Sequence, residues 1–357
     1  MTFLNNLLQQ LSQRFEYHGT HIYGSPSAAN ASPFYAHLSL NIANDPDVLG
    51  LVQDADLATQ ITNLLFGAVQ YLLLSGIPHP LSQFYPNLTD TPKPIDEAYP
   101  NFRAFCLEHA ESIRQLVTTR RVQTNEVGRC AALVLAFQAV AEQSAGRPLA
   151  LVEIGASAGL HLRWDRYGYD YGAAGYTGDS CSPVQIVCES RGLPPPLSAR
   201  FPFVAYRVGL DLNPIDIDDE AETRWLKALI WPEHKDRVRL LEAALALARE
   251  FPIPLVAGDA ALTLPEVLNQ VPDDAVLCIF HSYTLNQMPV DVRSRTLDVI
   301  AAHSQKRNIY RVSQEWYGNQ DKPQLELYSY DQNGIEAELL AYPESHGRWL
   351  EWLSSAE

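Results

Sequence analysis

The sequence predicts an α/β protein in which a helical region precedes a mostly parallel, Rossmann-like sheet. Residues 1–147 carry apolar side chains at helical spacing and contain no convincing strand. From residue 148, short runs rich in β-branched residues alternate with helical stretches, which is the pattern of a doubly wound parallel sheet. Residues 325–343 then form two alternating runs around an Asn-Gly turn, a strong signal for an antiparallel hairpin.

We therefore expect two parts, a helical N-terminal cap over residues 1–147 and a Rossmann-like domain over residues 148–357. In the cap, residues 57–74 are apolar around most of a helix, so this helix should be buried. Residues 102–117 and 127–145 are amphipathic and should each form a helix with one buried face.

Five strands are expected in the C-terminal domain, at residues 149–154, 206–212, 254–260, 275–282 and 308–316. Five parallel strands followed by an antiparallel hairpin are the sheet of a class I methyltransferase. An insertion at about residues 167–203 separates the first two strands. Its aromatic, Gly-rich sequence predicts a β-hairpin lid or wall beside the site, because long inserts in compact domains are often functional.

The composition excludes several classes of protein. A net charge of −16 argues against a broad phosphate-binding surface and therefore against nucleic acid as a partner. No apolar run reaches the roughly 18 to 20 residues of a membrane helix, and the N-terminus does not have the pattern of a signal peptide. Five cysteines without a CxxC pair are typical of reduced thiols rather than of a metal cluster. We expect a cytoplasmic protein without a bound metal or a membrane partner.

The stretch LVEIGASAGLHLRWD, residues 151–165, has two interpretations. Both begin with a strand, a tight turn and a segment that opens like a helix. Read from Glu153, it is an acidic residue followed by Gly155 and Gly159, the first loop of a nucleotide or S-adenosylmethionine site. Read from Gly155, it spells Gly-x-Ser-x-Gly, the nucleophile elbow of a serine hydrolase with Ser157 as nucleophile.

In the methyl-donor interpretation, each small residue of the turn has a task. Gly155 permits the turn, Gly159 lets the donor approach the backbone, and the N-terminus of the following helix presents N–H groups to the donor's carboxylate. Glu153 would hold the donor or its amino group, directly or through water. Ala156 and Ser157 would be small loop residues facing the ligand. A strand-to-helix turn without any ligand is the structural alternative.

Carboxylates also follow the next two strands. Asp211 ends the second strand, where both hydroxyls of a ribose can donate to its two oxygens, and Leu212 follows it. Asp259 and Ala260 end the third strand, where an Asp commonly meets the adenine amino group in such folds. For Asp211 the structural alternative is the first residue of a helix before Pro214, yet acidic residues at three successive strand ends favour donor binding.

The fourth strand ends in His281, followed two residues later by Tyr283, and we expect these two side chains to contact the methyl acceptor. A histidine has the pKa of a general base near neutral pH, although a hydrogen-bonded histidine closing the strand fits the sequence as well. Upstream of the turn, Thr124, Asn125 and Arg129 would either cap the next helix or bind the donor's carboxylate from the far side.

The serine-hydrolase interpretation needs a histidine and a carboxylate downstream of Ser157. The sequence supplies Asp259 together with His303 or His346. The context argues against a hydrolase, because several strands and an oxyanion turn should precede the elbow, whereas the residues before it are helical in pattern.

Longer strings in the chain resemble a bacterial family grouped as domain of unknown function 2332. The resemblance is carried by RRVQTNEVGRCAAL, LVEIGASAGLHLRWDRYGYDYG and the GDA that follows LLEAALALA, and it extends to YLLLSGIPHPLSQFYP. It implies a methyltransferase-like fold from residue 148 onward. It assigns no catalytic residue and no reaction.

Together these patterns predict a protein that binds S-adenosylmethionine and transfers its methyl group to a small molecule. Proximity and orientation would supply most of the rate, because the sulfonium donor is already activated. Two alternatives are a serine hydrolase that uses Ser157 and a donor-binding or nucleotide-binding protein without catalysis. The sequence identifies neither the acceptor nor the oligomeric state.

Overall fold

The computed structural model describes residues 2–25, 31–56, 60–198, 200–318 and 320–353. The α-helices there are α1 Thr2–Tyr17, α2 Pro33–Ile42, α3 Pro46–Leu49, α4 Ile61–Leu74, α5 Ala98–Glu108, α6 Ala110–Thr119, α7 Cys130–Gln143, α8 Glu220–Ala228, α9 Lys235–Glu250, α10 Ala260–Asn269 and α11 Val290–Ser304. The strands are β1 Leu149–Ile154, β2 Gly168–Asp170, β3 Tyr176–Gly178, β4 Gln185–Val187, β5 Glu189–Gly192, β6 Val204–Asp211, β7 Leu255–Ala257, β8 Val276–Ser282, β9 Ile309–Glu315, β10 Gln324–Asp331, β11 Gly334–Pro343 and β12 Trp349–Trp352.

The chain forms two compact units, and their boundary differs from the predicted division at residue 147. The first unit is Met1–Thr124 with Asp219–Arg239, and the second is Asn125–Asp218 with Leu240–Glu357. Helix α7 belongs to the second unit because its apolar side chains pack on the sheet. The ring centroid of Phe137 lies 5.0 Å from that of Trp164 and 5.1 Å from that of Phe280.

Helix α4 forms the centre of the helical unit, and 11 of its 14 residues are buried. Its Phe66 ring stacks on Tyr35 at a centroid distance of 4.1 Å. The expected buried helix is confirmed over residues 61–74, while residues 57–59 lie outside the described residues. The expected helix over residues 102–117 is instead two helices, α5 and α6, because the backbone of His109 leaves the helical region at φ −107° and ψ 26°.

One nine-stranded sheet occupies the second unit in the order β7-β6-β1-β8-β9-β10-β11-β12-β5. The first five of these strands pair in parallel. Strands β10 and β11 continue the sheet as an antiparallel hairpin, so the predicted mixed α/β protein is confirmed at this level. Strands β12 and β5 extend the sheet beyond the hairpin, and the sequence does not predict them.

Helices cover both faces of this sheet, as expected because every residue of the central strands β1 and β8 is buried. On one face, Leu264 and Val267 of α10 and Ile300 of α11 join a buried cluster with Ile154 and Ile279 of the strands. On the opposite face lies α7, whose residues from Cys130 to Gln138 are all buried.

The insertion contains a small three-stranded sheet in the order β3-β2-β4, and its β2–β3 pair is the expected antiparallel hairpin. Of its four tyrosines only Tyr176 is exposed, so they do not form an exposed aromatic wall. Tyr167, Tyr169 and Tyr171 are fully buried, and their hydroxyl groups donate to backbone carbonyl groups at 2.6 to 2.7 Å. These rings therefore belong to the core, where each tyrosine hydroxyl has a partner.

The segment after β1 corrects a second expectation. No α-helix follows the glycine turn among the described residues; the chain forms only a short 3₁₀-helix, His161–Arg166. Ser157 at φ +52° and Gly159 at φ +66° both have left-handed backbone conformations. Because a right-handed helix cannot continue through such residues, this turn has no long helix whose N-terminus could bind an anion.

Candidate functional site

The candidate site lies at the carboxyl ends of the parallel strands. The five parallel strands lie side by side in the order β7-β6-β1-β8-β9. Along the chain, β6 and β7 are added on one side of β1, whereas β8 and β9 are added on the other, so the direction of the strand order reverses between β1 and β8. Open α/β sheets bind their ligands at such a point, outside the carboxyl ends of the strands. Glu153, Asp211 and His281 are in these strand ends, and Asp259 follows β7 by two residues.

The glycine turn after β1 is held by backbone hydrogen bonds to the end of β6. The N–H group of Gly155 donates to the Leu210 carbonyl oxygen at 2.7 Å, and the N–H group of Ala156 donates to the same oxygen at 3.1 Å. Gly155 has a φ of +78°, a conformation that favours glycine. These hydrogen bonds fix the conformation of the turn and attach it to the neighbouring strand.

The turn also contacts the loop after β8. A methyl group at Gly155 would overlap the Oγ1 atom of Thr284, so only glycine allows this approach. Ala156 and Ser157 are buried. Among the described residues, the Ser157 hydroxyl has no hydrogen-bond partner. The predicted small-residue loop is therefore tightly enclosed.

Glu153 is buried beside a histidine that the sequence analysis did not single out. Its Oε1 atom lies 2.8 Å from Nδ1 of His161, whose Nε2 lies 2.9 Å from the carbonyl oxygen of Glu126. The Oε2 atom of Glu153 has no hydrogen-bond partner among the described residues. Burial raises the pKa of Glu153, the nearby His161 lowers it, and the net direction is upward.

Asp211 connects the first two loops of the site. Its Oδ2 accepts a hydrogen bond from the N–H group of Ser157 at 2.8 Å, and its Oδ1 accepts one from the N–H group of Asn213 at 2.8 Å. Leu212, which lies between Asp211 and Asn213 in the chain, is 63% exposed. The carboxylate therefore has a structural task in shaping the turn, in addition to any contact with a ligand.

Asp259 has a structural role that the sequence does not predict. It is the N-cap residue of α10, and its Oδ1 accepts a hydrogen bond from the N–H group of Ala261 at 2.8 Å. It remains partly exposed, while Ala260 is buried in the first turn of the helix.

The structure does not support His281 as a general base. The ring is fully buried, its Nδ1 lies 2.7 Å from Oε1 of Glu315, and its Nε2 lies 3.0 Å from Nη1 of Arg311. Because a guanidinium group only donates, Nε2 must accept, so the histidine is neutral with its proton on Nδ1. Burial is the main cause that lowers the pKa of His281.

Glu315, at the end of β9, organises the loop after β8. Its Oε1 also accepts hydrogen bonds from the N–H groups of Thr284 and Leu285, and its Oε2 accepts one from Asn286, at 2.9 to 3.2 Å. Burial raises the pKa of Glu315, but the His281 and backbone hydrogen bonds outweigh it and the net shift is downward. Sequence analysis missed this residue, although it is the last residue of β9 and so carries the same strand-end signal as Glu153 and Asp211.

Tyr283 has a left-handed backbone, with φ +52°, which is unusual for an aromatic residue. Its hydroxyl donates to Oγ of Ser345 at 2.9 Å, and the guanidinium carbon of Arg129 lies 4.1 Å from its ring centroid. The side chain is partly exposed. Of the two residues expected to contact the acceptor, Tyr283 alone reaches the surface.

Thr124, Asn125 and Arg129, the polar residues upstream of the turn, have different environments in the structure. Asn125 accepts a hydrogen bond from the N–H group of Leu160 at 3.0 Å, so it supports the glycine turn. Arg129 donates through Nε to the Ser345 carbonyl oxygen at 3.0 Å. Thr124 is exposed and belongs to the helical unit. Neither Thr124 nor Asn125 caps α7, whose N-cap position is Arg129 and has no side-chain cap.

A second carboxylate missed by sequence analysis lies in the loop before β12. Glu344 is buried and accepts hydrogen bonds from the N–H groups of His346 and Arg348 at 3.0 and 3.2 Å. Its other oxygen lies 3.0 Å from Nδ1 of His346. Burial alone would raise the pKa of Glu344, but these hydrogen bonds and the His346 ring lower it to about 2.

A cavity of about 310 Å³ lies beside Ala158 of the glycine turn. Its wall includes Ala158, Ile215 and Leu255 and the end of α9, and none of the sequence-predicted site residues lines it. The strand-end carboxylates and this cavity are therefore separate features of the second unit.

Two further observations concern the described part of the chain. No helix there is long and apolar enough to cross a membrane. No group of three or more His, Cys, Asp or Glu side chains within those ranges is arranged to hold a metal ion.

Comparison with known proteins identifies the family. Curated proteins gave no match to the chain. A family model described as an uncharacterized protein conserved in bacteria, DUF2332, matches residues 21–352, which is most of the sequence. The chain therefore belongs to the DUF2332 family of bacterial proteins.

Proposed function

We propose that this protein binds S-adenosylmethionine at the carboxyl ends of β1, β6 and β7 and transfers its methyl group to a small molecule. The observation that carries the proposal is the set of carboxylates at these three strand ends, Glu153, Asp211 and Asp259, around one glycine turn. The Oε2 atom of Glu153 is buried there without a partner. Leaving a buried acceptor unsatisfied costs about 1–3 kcal/mol, which favours a ligand that donates to it.

Asp211 would bind the ribose. A carboxylate has about four acceptor positions, so accepting two backbone N–H groups does not exclude two ribose hydroxyl groups. The exposed side chain of Leu212 would offer an apolar surface beside the adenine ring. Asp259 caps α10 through Oδ1 and would accept from the adenine amino group through Oδ2.

The charge of the site fits a cationic donor. S-adenosylmethionine carries a sulfonium and an ammonium group, and carboxylates at short range favour such charges. The ammonium group would donate to Oε2 of Glu153. The donor's own carboxylate has no long helix N-terminus after the turn, so we expect it near Arg129, whose guanidinium group is mostly buried.

Methyl transfer from an activated sulfonium needs an oriented nucleophile more than a strong base. His281 would act here as a structural residue that fixes the loop after β8. Tyr283, which is partly exposed at the end of that strand, would contact the acceptor. Its hydroxyl already donates to Ser345, so it would accept a hydrogen bond from the acceptor rather than remove a proton.

Titration calorimetry with S-adenosylhomocysteine tests the proposal. Wild-type protein should bind it, and Asp211→Ala should weaken binding severalfold or more. Asp216→Ala is a matched control, because Asp216 is an exposed carboxylate in the loop after the same strand. Failure of wild-type protein to bind at millimolar ligand contradicts the proposal, and equal affinities in the two variants contradict the ribose assignment.

The serine-hydrolase alternative has one observation in its favour, the strained φ of +52° at Ser157, which is typical of a nucleophile elbow. Against it, the described residues place no hydrogen-bonding base at the Ser157 hydroxyl, and His346 bonds to Glu344 instead. Labelling by a fluorophosphonate that disappears in Ser157→Ala would favour a hydrolase. If the protein is not a catalyst, it would bind S-adenosylmethionine, but the amount of S-adenosylmethionine would not fall when protein and donor are incubated with a mixture of small molecules.

A further inference from the structure

His161 is buried between two acceptors, and this fixes where its protons lie. Its Nε2 faces the Glu126 carbonyl oxygen at 2.9 Å, and a carbonyl oxygen can only accept, so Nε2 carries a hydrogen. Its Nδ1 faces Oε1 of Glu153 at 2.8 Å. The single proton between Nδ1 and Oε1 can therefore belong to either residue.

That shared proton sets the charge of Glu153. If it lies on Oε1, the pair is a neutral acid beside a neutral imidazole. If it moves to Nδ1, Glu153 becomes a carboxylate without any exchange of protons with the solvent. The remaining oxygen, Oε2, has no partner among the described residues and would carry much of that charge.

The other groups around Glu153 do not duplicate this role. The charged or titratable side chains that influence it are Asp211, Arg163, Cys130 and Tyr167. Arg163 donates to the carbonyl oxygens of Gly159 and Phe251, and Tyr167 donates to that of Leu160. Burial raises the pKa of the Cys130 thiol, which therefore stays protonated. Among these groups, His161 is the one whose side chain hydrogen-bonds to Glu153, and its Nδ1 atom can carry the shared proton.

We propose that His161 is the positioning residue of a cation subsite: it holds Glu153 by Oε1, directs Oε2 to the ligand's ammonium group, and accepts the shared proton when that group binds. This inference rests on the proposed function, because it assumes a ligand with an ammonium group near the glycine turn. Its ligand class is an α-amino acid moiety attached to a nucleoside.

Two ligands separate this inference from the proposed function. S-adenosylhomocysteine carries the amino acid moiety, and 5′-methylthioadenosine lacks it while keeping the nucleoside. Wild-type protein should bind the first more tightly. Because the shared proton stays within the pair, calorimetry in phosphate and in Tris at pH 7 should detect no net proton exchange.

In His161→Asn the amide can still donate to Oε1 but cannot accept a proton. The buried Glu153 must then release its proton to solvent before it binds an ammonium group. We expect S-adenosylhomocysteine to bind at least tenfold more weakly at pH 7, with release of one proton, and to recover affinity as the pH rises. The affinity for 5′-methylthioadenosine should be unchanged. His79→Asn, a substitution of a mostly buried histidine in the helical unit, should alter neither affinity.

Different failures have different meanings. If neither ligand binds wild-type protein, the proposed function fails. If both bind but wild-type protein releases a proton, or if His161→Asn weakens both ligands equally without proton release, His161 is only structural. Should His161→Asn fail to fold, Glu153→Gln provides the second test, since it should reduce the affinity for S-adenosylhomocysteine to that for 5′-methylthioadenosine. An unchanged ratio of the two affinities in that variant would overturn the proposal.

Discussion

The carboxylate of Asp211 accepts a hydrogen bond from the backbone N–H group of Ser157 at 2.8 Å, which ties the end of β6 to the turn after β1. The second oxygen accepts from Asn213, so one side chain shapes two loops. In Asp211→Asn the amide NH₂ group would face one of these N–H donors. We expect the free energy of unfolding to fall by about 1–2 kcal/mol in urea denaturation. Asp216→Asn, at an exposed position, should change it by less than about 0.5 kcal/mol, and an equal effect of both would contradict this role.

Gly155→Ala should disrupt the glycine turn for two reasons. The φ of +78° strains any other residue, and the added methyl group would overlap Thr284. We expect a loss of about 2–5 kcal/mol of unfolding free energy, from backbone strain and overpacking together. The double variant Gly155→Ala with Thr284→Gly should recover part of it. Gly76→Ala has the strain without the overlap, since no atom lies within 4 Å, and should lose only about 1–2 kcal/mol. Equal losses at both glycines would show that the contact with Thr284 is unimportant.

Glu315→Gln should destabilise the loop after β8. The substitution replaces one carboxylate oxygen by an NH₂ group, which cannot accept from His281 or from the N–H groups of the loop. Leaving such buried donors without an acceptor costs about 1–3 kcal/mol. Urea denaturation at pH 7 measures the loss, and Glu336→Gln, an exposed glutamate on β11, should be nearly neutral. A loss below about 1 kcal/mol for Glu315→Gln would mean that the network contributes little.

The carboxylate of Glu344 should make the free energy of unfolding depend on pH in the acid range. Its folded pKa of about 2 lies below the usual 4.5, so its stabilisation is fully present above pH 4.5 and is lost as the pH falls toward 2. The shift corresponds to about 3 kcal/mol. Wild-type protein should exceed Glu344→Gln by up to this amount in unfolding free energy at pH 7, and the difference should vanish near pH 2. A difference that is independent of pH would show that the carboxylate charge is not responsible.

The parallel strands were predictable because they are apolar and bounded by turn residues, and these signals lie within a few neighbouring positions. The failure after β1 has a local cause that spacing does not reveal. Leu160 and Trp164 lie one helical turn apart, but the left-handed Ser157 and Gly159 precede them, and the segment forms only a 3₁₀-helix before β2 begins at Gly168. The pattern of helix α7 shows that one face is buried, but not against which element it packs, and it therefore predicts a place in the cap.

The site was predictable where a residue's role follows from its place at a strand end, as with Glu153 and Asp211. It was not predictable where the partner is distant in sequence. The bond between His281 and Glu315 depends on the register of β8 against β9, which pairs His281 with Ser313 across 32 positions of the chain. His161 lies within the recognised motif, but its contact with Glu153, eight positions earlier, depends on the tight turn between them, and its second partner is a backbone carbonyl oxygen.

A crystal structure of the protein with S-adenosylhomocysteine would show directly whether the donor binds at the strand ends. We expect ligand density at the carboxyl ends of β1, β6 and β7, with ribose hydroxyl groups donating to Asp211 and the amino group donating to Oε2 of Glu153. Density in the cavity beside Ala158 and Leu255, or no density in crystals soaked at millimolar ligand, would contradict it.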